Sequence, residues 1–245
     1  MRKRDKSGTT TTCRQTVGSF SFAEKATVRV LIEGYARQVE NGWIASSTTC
    51  LVISSGMKII TDPGCNRQKL LDALSKENLS ADDIDFVFLS HGHPDHILLA
   101  GIFANARQVT YDDDLVYDQD RMVKFDKHIL GPHTEVIHTP GHVPDHISLL
   151  VDTSEGVVAI AGDVFWWPDG EKQDPGALIA GPFEPSGLNR EMLAQSRSQL
   201  LKTADLIIPG HGKMFRGMKG KTETGRNIKK AEGRPENGEW KPEEK

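Results

Sequence analysis

One recurring junction limits the fold of this chain more than any other feature: an apolar run, a Gly or Pro turn, then a side chain able to hold a metal ion. It first occurs at His91-Gly92-His93-Pro94-Asp95-His96, directly after the apolar run at residues 85–90. Four ligand-type side chains within six residues cannot share one helix face, because helical neighbours sit three or four residues apart. The hexapeptide is therefore expected as a tight loop leaving a strand, with residues 97–104 starting a helix. Imidazole together with carboxylate suits zinc, and less often iron or manganese. By itself the hexapeptide also fits a solvated His-rich loop. The junction then returns three times. Thr139-Pro140-Gly141-His142 follows residues 134–138, Ala161-Gly162-Asp163 ends residues 157–161, and Pro209-Gly210-His211-Gly212 follows residues 205–208. Such turns let several strand ends aim side chains into one cleft. Five of the nine histidines and two aspartates are used in this way.

These motifs resemble those of the metallo-β-lactamase-fold hydrolases over roughly residues 28–216. The resemblance implies an α/β fold, a four-layer αβ/βα sandwich with its site at the sheet edge, in a domain spanning residues 20–216. It implies that His91, His93 and His142 hold a first metal, that Asp95, His96 and His211 hold a second, and that Asp163 bridges both. Asp163 and His96 are similar to the corresponding residues of the nucleases, thioesterases and lactonases, whereas a class B1 β-lactamase carries Cys in the place of Asp163. Asp62, in Asp62-Pro63-Gly64, would accept a hydrogen bond from a ligand imidazole. A ligating His needs its other ring nitrogen pinned, although a turn Asp before Pro-Gly needs no such role.

The expected cofactors are two Zn2+ ions, with Fe or Mn as the other options, held about 3.5–4 Å apart. A metal can bring the pKa of bound water to about 7, so a bridging hydroxide is the expected nucleophile. Asp95 and Asp163 are the expected catalytic residues, Asp95 as proton acceptor or orienting group. The segment 162–165, the stretch 191–216 and the short single-domain length resemble the endoribonuclease members of the family. Phosphodiester hydrolysis, with RNA as substrate, therefore leads. The alternative is a small-molecule ester, lactone or thioester, as in quorum-quenching lactonase-like or glyoxalase II-like enzymes. Trp166 stands where the lactonases often carry Tyr. An iron-dependent persulfide dioxygenase would use only the first ligand set with Asp163, and the presence of Asp95, His96 and His211 argues for two metals. A non-catalytic scaffold is the remaining reading, opposed by the cost of burying unpaired ligands.

A formal net charge of −4 gives no global attraction to nucleic acid or membrane. Cys13, Cys50 and Cys65 form neither a metal spacing nor a disulfide framework and are expected as free thiols in a reducing compartment. No apolar stretch of about eighteen residues is present, so no membrane span is expected. The N-terminus lacks an apolar signal core, which points to the cytoplasm. The oligomeric state, a homodimer included, stays open. Residues 1–19 and the charged residues 217–245 are expected to be disordered tails. Strands are expected at 28–32, 48–54 and 57–61, the first two joined by a loop, and a helix at 66–78. Residues 111–125 should be irregular, with Asp112, Asp113 and Asp114 in a solvated turn. A helix should run from Ser186 to Leu201. The long loop 169–187 should roof the pocket, and Trp166 and Trp167 fit either pocket wall or core. His146 is expected to orient other groups rather than to ligate. His128, His133 and His138 are expected at the surface.

Overall fold

Period-two alternation along strands that are buried on both faces requires packing layers above and below each sheet. The computed structural model describes residues 25–110, 115–124, 126–176 and 188–219. Its first half supplies β1 (Thr27–Ile32), β2 (Tyr35–Val39), β3 (Gly42–Ser46), β4 (Thr49–Ser54), β5 (Met57–Thr61), β6 (Phe86–Phe88), β7 (Arg107–Val109), β8 (Leu115–Asp118) and β9 (Arg121–Lys124). All but β2 and β3 join one seven-stranded sheet in the order β1-β4-β5-β6-β7-β8-β9. β2 and β3 pair only with each other. The second half supplies β10 (Thr134–His138), β11 (Ile147–Thr153), β12 (Gly156–Ile160), β13 (Leu206–Ile208) and β14 (Phe215–Arg216), which form a five-stranded sheet in sequence order.

Alternation sends each strand's apolar residues into two different cores. Cys50 and Val52 of β4, with Ile59, Phe86 and Phe88, meet Leu149, Val151, Val158 and Ile160 between the sheets. Their neighbours Leu51, Ile60 and Val87 pack outward against Leu70 and Leu74 of α1 (Arg67–Lys76). On the other sheet, Ala159 and Ile207 pack against Leu193 and Leu200 of the long helix at Arg190–Thr203. Two sheets between two helical layers make the expected αβ/βα sandwich of four layers.

The topology also gathers the junction residues. β5, β6 and β7 run parallel, as do β12 and β13. Parallel neighbours need a crossover, supplied by α1 before β6 and by the long helix before β13. The loops carrying Asp62, His91, Asp163 and His211 therefore all leave the carboxyl ends of strands, where α/β sheets place their ligands.

Several local expectations are corrected. The helix expected over 97–104 is instead α2 (Pro94–Ile97), which starts inside the metal-type hexapeptide, followed by a 3-10 turn at Ala100–Ile102. Pro94 at its start has the fixed φ that suits a first helical position. The loop expected between β1 and β4 is mostly the β2–β3 hairpin, turning at the Asn41-Gly42 pair that favours tight hairpins. Residues 115–124 form the β8–β9 hairpin rather than irregular chain; Asp112, Asp113 and Asp114 lie outside the described residues. The long helix, α3, is capped by Asn189, whose side chain accepts from the Met192 N–H, and it ends at Thr203. Ser186 lies outside the described residues, as do residues 1–19, 177–187 of the expected roof loop, and 220–245. No helix among the described residues is long and apolar enough to cross a membrane.

Candidate metal centre

Seven side chains from four loops converge at the carboxyl ends of the strands. His91, His93, His142 and Asp163 each offer a ligand atom, and these atoms lie within 4.8 Å of one another. Asp95, His96 and His211 form a second such group. Asp163 connects the two. Its Oδ2 is 3.3 Å from His142 Nε2 and 4.0 Å from His91 Nε2. Its Oδ1 is 3.2 Å from His96 Nε2 and 3.6 Å from His211 Nε2. Within the groups, His142 Nε2 is 3.0 Å from His93 Nδ1, and His211 Nε2 is 3.2 Å from Asp95 Oδ2.

The outer nitrogens of three imidazoles are tied down, which decides which nitrogen faces inward. Asp62 is buried, and its Oδ1 accepts the Ser90 backbone N–H at 2.7 Å. Its Oδ2 accepts the Ser90 hydroxyl at 2.6 Å and faces His96 Nδ1 at 2.9 Å. The Ser90 hydroxyl has then spent its only proton, so it accepts from His91 Nδ1 at 3.0 Å. His211 Nδ1 donates to the Tyr35 carbonyl at 3.1 Å. Each of the three rings thus turns Nε2 toward Asp163, the arrangement that fixed outer partners give to metal-ligating histidines.

Electrostatics sets the protonation states. Burial holds His91 well below the ordinary imidazole value, lowers His93, and pushes His142 down to about 4. Burial acts on His96 in the same direction, but the Asp163 and Asp62 carboxylates outweigh it and hold that ring well above its usual value. Burial would raise Asp163; the surrounding His96, His211 and His142 rings instead hold it well below the carboxylate range. Burial would raise Asp95 too, but the hydrogen bond from His211 and the nearby His96 and His211 rings together lower it. Neutral imidazoles and ionised carboxylates are the forms that ligate, and a cation held at His96 Nε2 would take the place of a proton there. His91 Nε2 is buried with no hydrogen-bond partner, and the buried His96 Nε2 and Asp163 Oδ1 face each other at 3.2 Å without a well-aligned hydrogen bond. Leaving several buried polar atoms unsatisfied in one place is costly, and divalent cations would satisfy all three. The donor set therefore fits metal ions.

Asp62 gives a direct test. Its φ of +38° is a conformation that Asn tolerates about as well as Asp. Asp62→Asn keeps the shape but replaces one acceptor oxygen with a donor. Metal affinity or turnover should fall about 10–100-fold with the fold intact, as read from metal content after dialysis against a graded chelator.

His146 is fully buried and is held away from the two groups by its own bonds. Its Nε2 accepts the Asp163 backbone N–H at 3.2 Å, and its Nδ1 donates to Thr139 Oγ1 at 3.0 Å. Thr139 continues to Ser148 Oγ at 2.7 Å, and Ser148 to the Ala161 carbonyl at 3.2 Å. His146 therefore anchors the backbone of Asp163. His128, His133 and His138 bond to the Thr134 carbonyl, Asp152 and the Pro144 carbonyl, outside both groups. Burial pushes the Cys50 thiol up to about 12, and Cys65 Sγ donates to the Ala45 carbonyl.

The groups open into a cleft of about 450 Å³ lined by Ala36, Trp43, Ala45, Trp166 and Pro94 beside the ligand residues. The two tryptophans of the 166–167 pair divide. Trp166 is half-buried in the cleft wall, while Trp167 is buried and packs on Phe165 and Phe215 at ring-centroid distances of 6.1 and 5.6 Å. Ser90, the Tyr35 carbonyl and the hairpin residues Ala36, Trp43 and Ala45 carry no signal in the metal-type motifs. The only sequence mark on the hairpin is Asn41-Gly42.

The family model for the metallo-beta-lactamase superfamily matches residues 43–112. The metallo-beta-lactamase domain-containing protein 1 of Xenopus laevis is 33% identical over 203 residues, covering 78% of this chain and 82% of that protein. The hydroxyacylglutathione hydrolase GloC of Haemophilus influenzae is 25% identical, over 62% of this chain and 79% of that one. Among solved structures, the Thermotoga maritima protein tm0894 superposes with a TM-score of 0.57 at 21% identity, covering 79% of this chain and 100% of its own, which shows a common fold.

Proposed function

We propose that this chain, which belongs to the metallo-beta-lactamase superfamily, is a dinuclear metal-dependent hydrolase whose substrate is a phosphodiester in RNA. One observation carries the dinuclear reading: the two oxygens of Asp163 face different ligand groups. His91, His93 and His142 would hold one ion, Asp95, His96 and His211 the other, and Asp163 both. Zinc leads because all the donors are imidazole nitrogen or carboxylate oxygen. Bound there, such ions would acidify water and draw negative charge from the scissile group. The protein's own residues do the rest. Asp62, Ser90 and the Tyr35 carbonyl fix the ring tautomers, and His146 fixes Asp163. Asp95 is the least buried of the carboxylates in the two groups, with 27% of its side chain exposed. It stands at the mouth of the cleft, where it can accept a proton from the attacking water.

The phosphodiester assignment is supported by the resemblance of segments 162–165 and 191–216 to endoribonuclease members of the family. A second reading has an observation of its own. No Lys or Arg is among the described residues lining the cleft, which suits an uncharged lactone or thioester, and GloC is named a hydroxyacylglutathione hydrolase. One set of assays separates the two. Metal-loaded protein is offered labelled single-stranded RNA, a simple phosphodiester, a homoserine lactone and a glutathione thioester, with metal content measured on the same sample. RNA cleavage with two ions per chain is the expected result. Lactone or thioester turnover with intact RNA overturns the phosphodiester assignment, and a single iron per chain overturns the dinuclear one.

A further inference from the structure

The cleft has a chemically uneven lining. At one end are the carboxylates and imidazoles of the two ligand groups. The remaining surface is aromatic or small and apolar: Trp43, Trp166, Ala36, Ala45 and Pro94. With no Lys or Arg among the described residues of that lining, the described surface offers flat apolar contact and no ion pair beyond the ligand groups.

Two features make Trp166 a fixed surface. Its backbone bridges to His211, and the next residue, Trp167, donates its N–H to the His211 carbonyl at 3.1 Å. Its ring stands edge-on to His211 at a centroid distance of 6.4 Å and an interplanar angle of 81°. Trp43, placed opposite Gln38 in the β2–β3 hairpin, meets the Trp166 ring at 6.2 Å and 80°. Rings at right angles form a corner rather than a slot, so the corner offers one stacking face to one planar group at a time. The two alanines keep the floor low enough for that group to lie flat.

We infer that Trp166, backed by Trp43, is a specificity residue that stacks a single unpaired nucleobase adjacent to the bond held at Asp163, so that the enzyme selects single-stranded substrate by its bases rather than by its backbone charge. This inference rests on the phosphodiester reading above. Stacking on an aromatic side chain tolerates any base, because every base has a π-face. The preference is therefore for strandedness and not for sequence.

The test compares cleavage of a single-stranded RNA with cleavage of the same RNA carrying one abasic residue beside the cleaved bond, using the metal-loaded protein. On intact RNA, Trp166→Ala should raise KM roughly tenfold to a hundredfold, with the loss in KM rather than kcat, as expected for binding shared by ground and transition states. Trp166→Phe, which keeps an aromatic face, should recover most of it. The wild-type protein should show a similar rise in KM on the abasic RNA, and Trp166→Ala should add nothing further there. The abasic comparison needs no variant, so a folding defect cannot mimic it. Equal KM for intact and abasic RNA in the wild type, or a Trp166→Ala penalty of the same size on both RNAs, overturns the inference while leaving the nuclease reading in place. If neither RNA is cleaved while an ester is turned over, both fail.

Discussion

Asp163→Asn is expected to lower turnover at least about 10³-fold and to leave fewer than two ions per chain. The size follows from where the two oxygens point. One faces His142 and His91, the other His96 and His211. Removing an outer partner of a single ligand already costs about 10–100-fold in affinity or activity, and Asp163 serves both groups at once. Asn keeps the volume, so no cavity opens, but either flip of its amide turns N–H donors toward one of the groups, where a cation is to sit. The substitution also deletes the buried negative charge that helps to hold His96 above its ordinary pKa. The charge balance of the whole cluster shifts with it. The measurements are metal content after gel filtration, turnover on the simple phosphodiester and thermal melting. Lost turnover with both ions still bound would remove Asp163 from the bridging position and assign it to the chemistry alone.

What could be read from the sequence here was local. Gly141, Gly162 and Gly210 lie in turns whose departure from regular strand depends on the residue itself, and Gly141 and Gly162 have positive φ. That is why the ligands behind them stood out. The layered fold was legible through the family resemblance that those motifs carry, while the sorting of β4 residues into two cores depends on packing between distant segments. Roles that depend on contacts between distant segments were not visible. Ser90 reads as an ordinary polar residue between an apolar run and His91, and only the approach of Asp62 across β5 and β6 makes it the group that sets the His91 tautomer. Nothing in residues 33–47 says that the Tyr35 carbonyl will meet His211, 176 positions away. Trp166 and Trp167 are chemically identical neighbours. Which one meets the cleft is decided by the bond that fixes the chain beside His211. α3 starts at Arg190 rather than at the expected Ser186, because Asn189 caps it by accepting the Met192 N–H. α2 was misplaced although its signal was present: Pro94 favours a first helical position.

Gly210→Ala, although it alters no ligand, is expected to lower turnover about 100-fold or more. Its φ is not in the left-handed region, so the backbone accepts Ala, and the effect is one of space. A Cβ at this position would overlap Asp163 Oδ1 and lie 2.9 Å from the Gly162 carbonyl carbon. The loop has no room to retreat. The Gly210 N–H is shared between the Gly162 and Phe165 carbonyls at 2.8 and 2.9 Å, and the Gly210 carbonyl accepts from Thr48 N at 2.7 Å and Thr48 Oγ1 at 3.0 Å. Gly34 closes the remaining side, since a Cβ there would overlap the Gly210 carbonyl oxygen. The carboxylate of Asp163 must therefore move, and it must move away from His96 and His211, the pair its Oδ1 faces. Misplacing a catalytic group by about 1 Å costs on the order of 100-fold. Gly101→Ala is the matched control, because a Cβ there meets nothing within 4 Å, and it should keep full turnover. Both variants are compared with the wild type by melting temperature and by metal content before activity is read. A Gly210→Ala protein that folds, binds two ions and turns over at the wild-type rate would mean that the position of Asp163 Oδ1 does not limit the reaction.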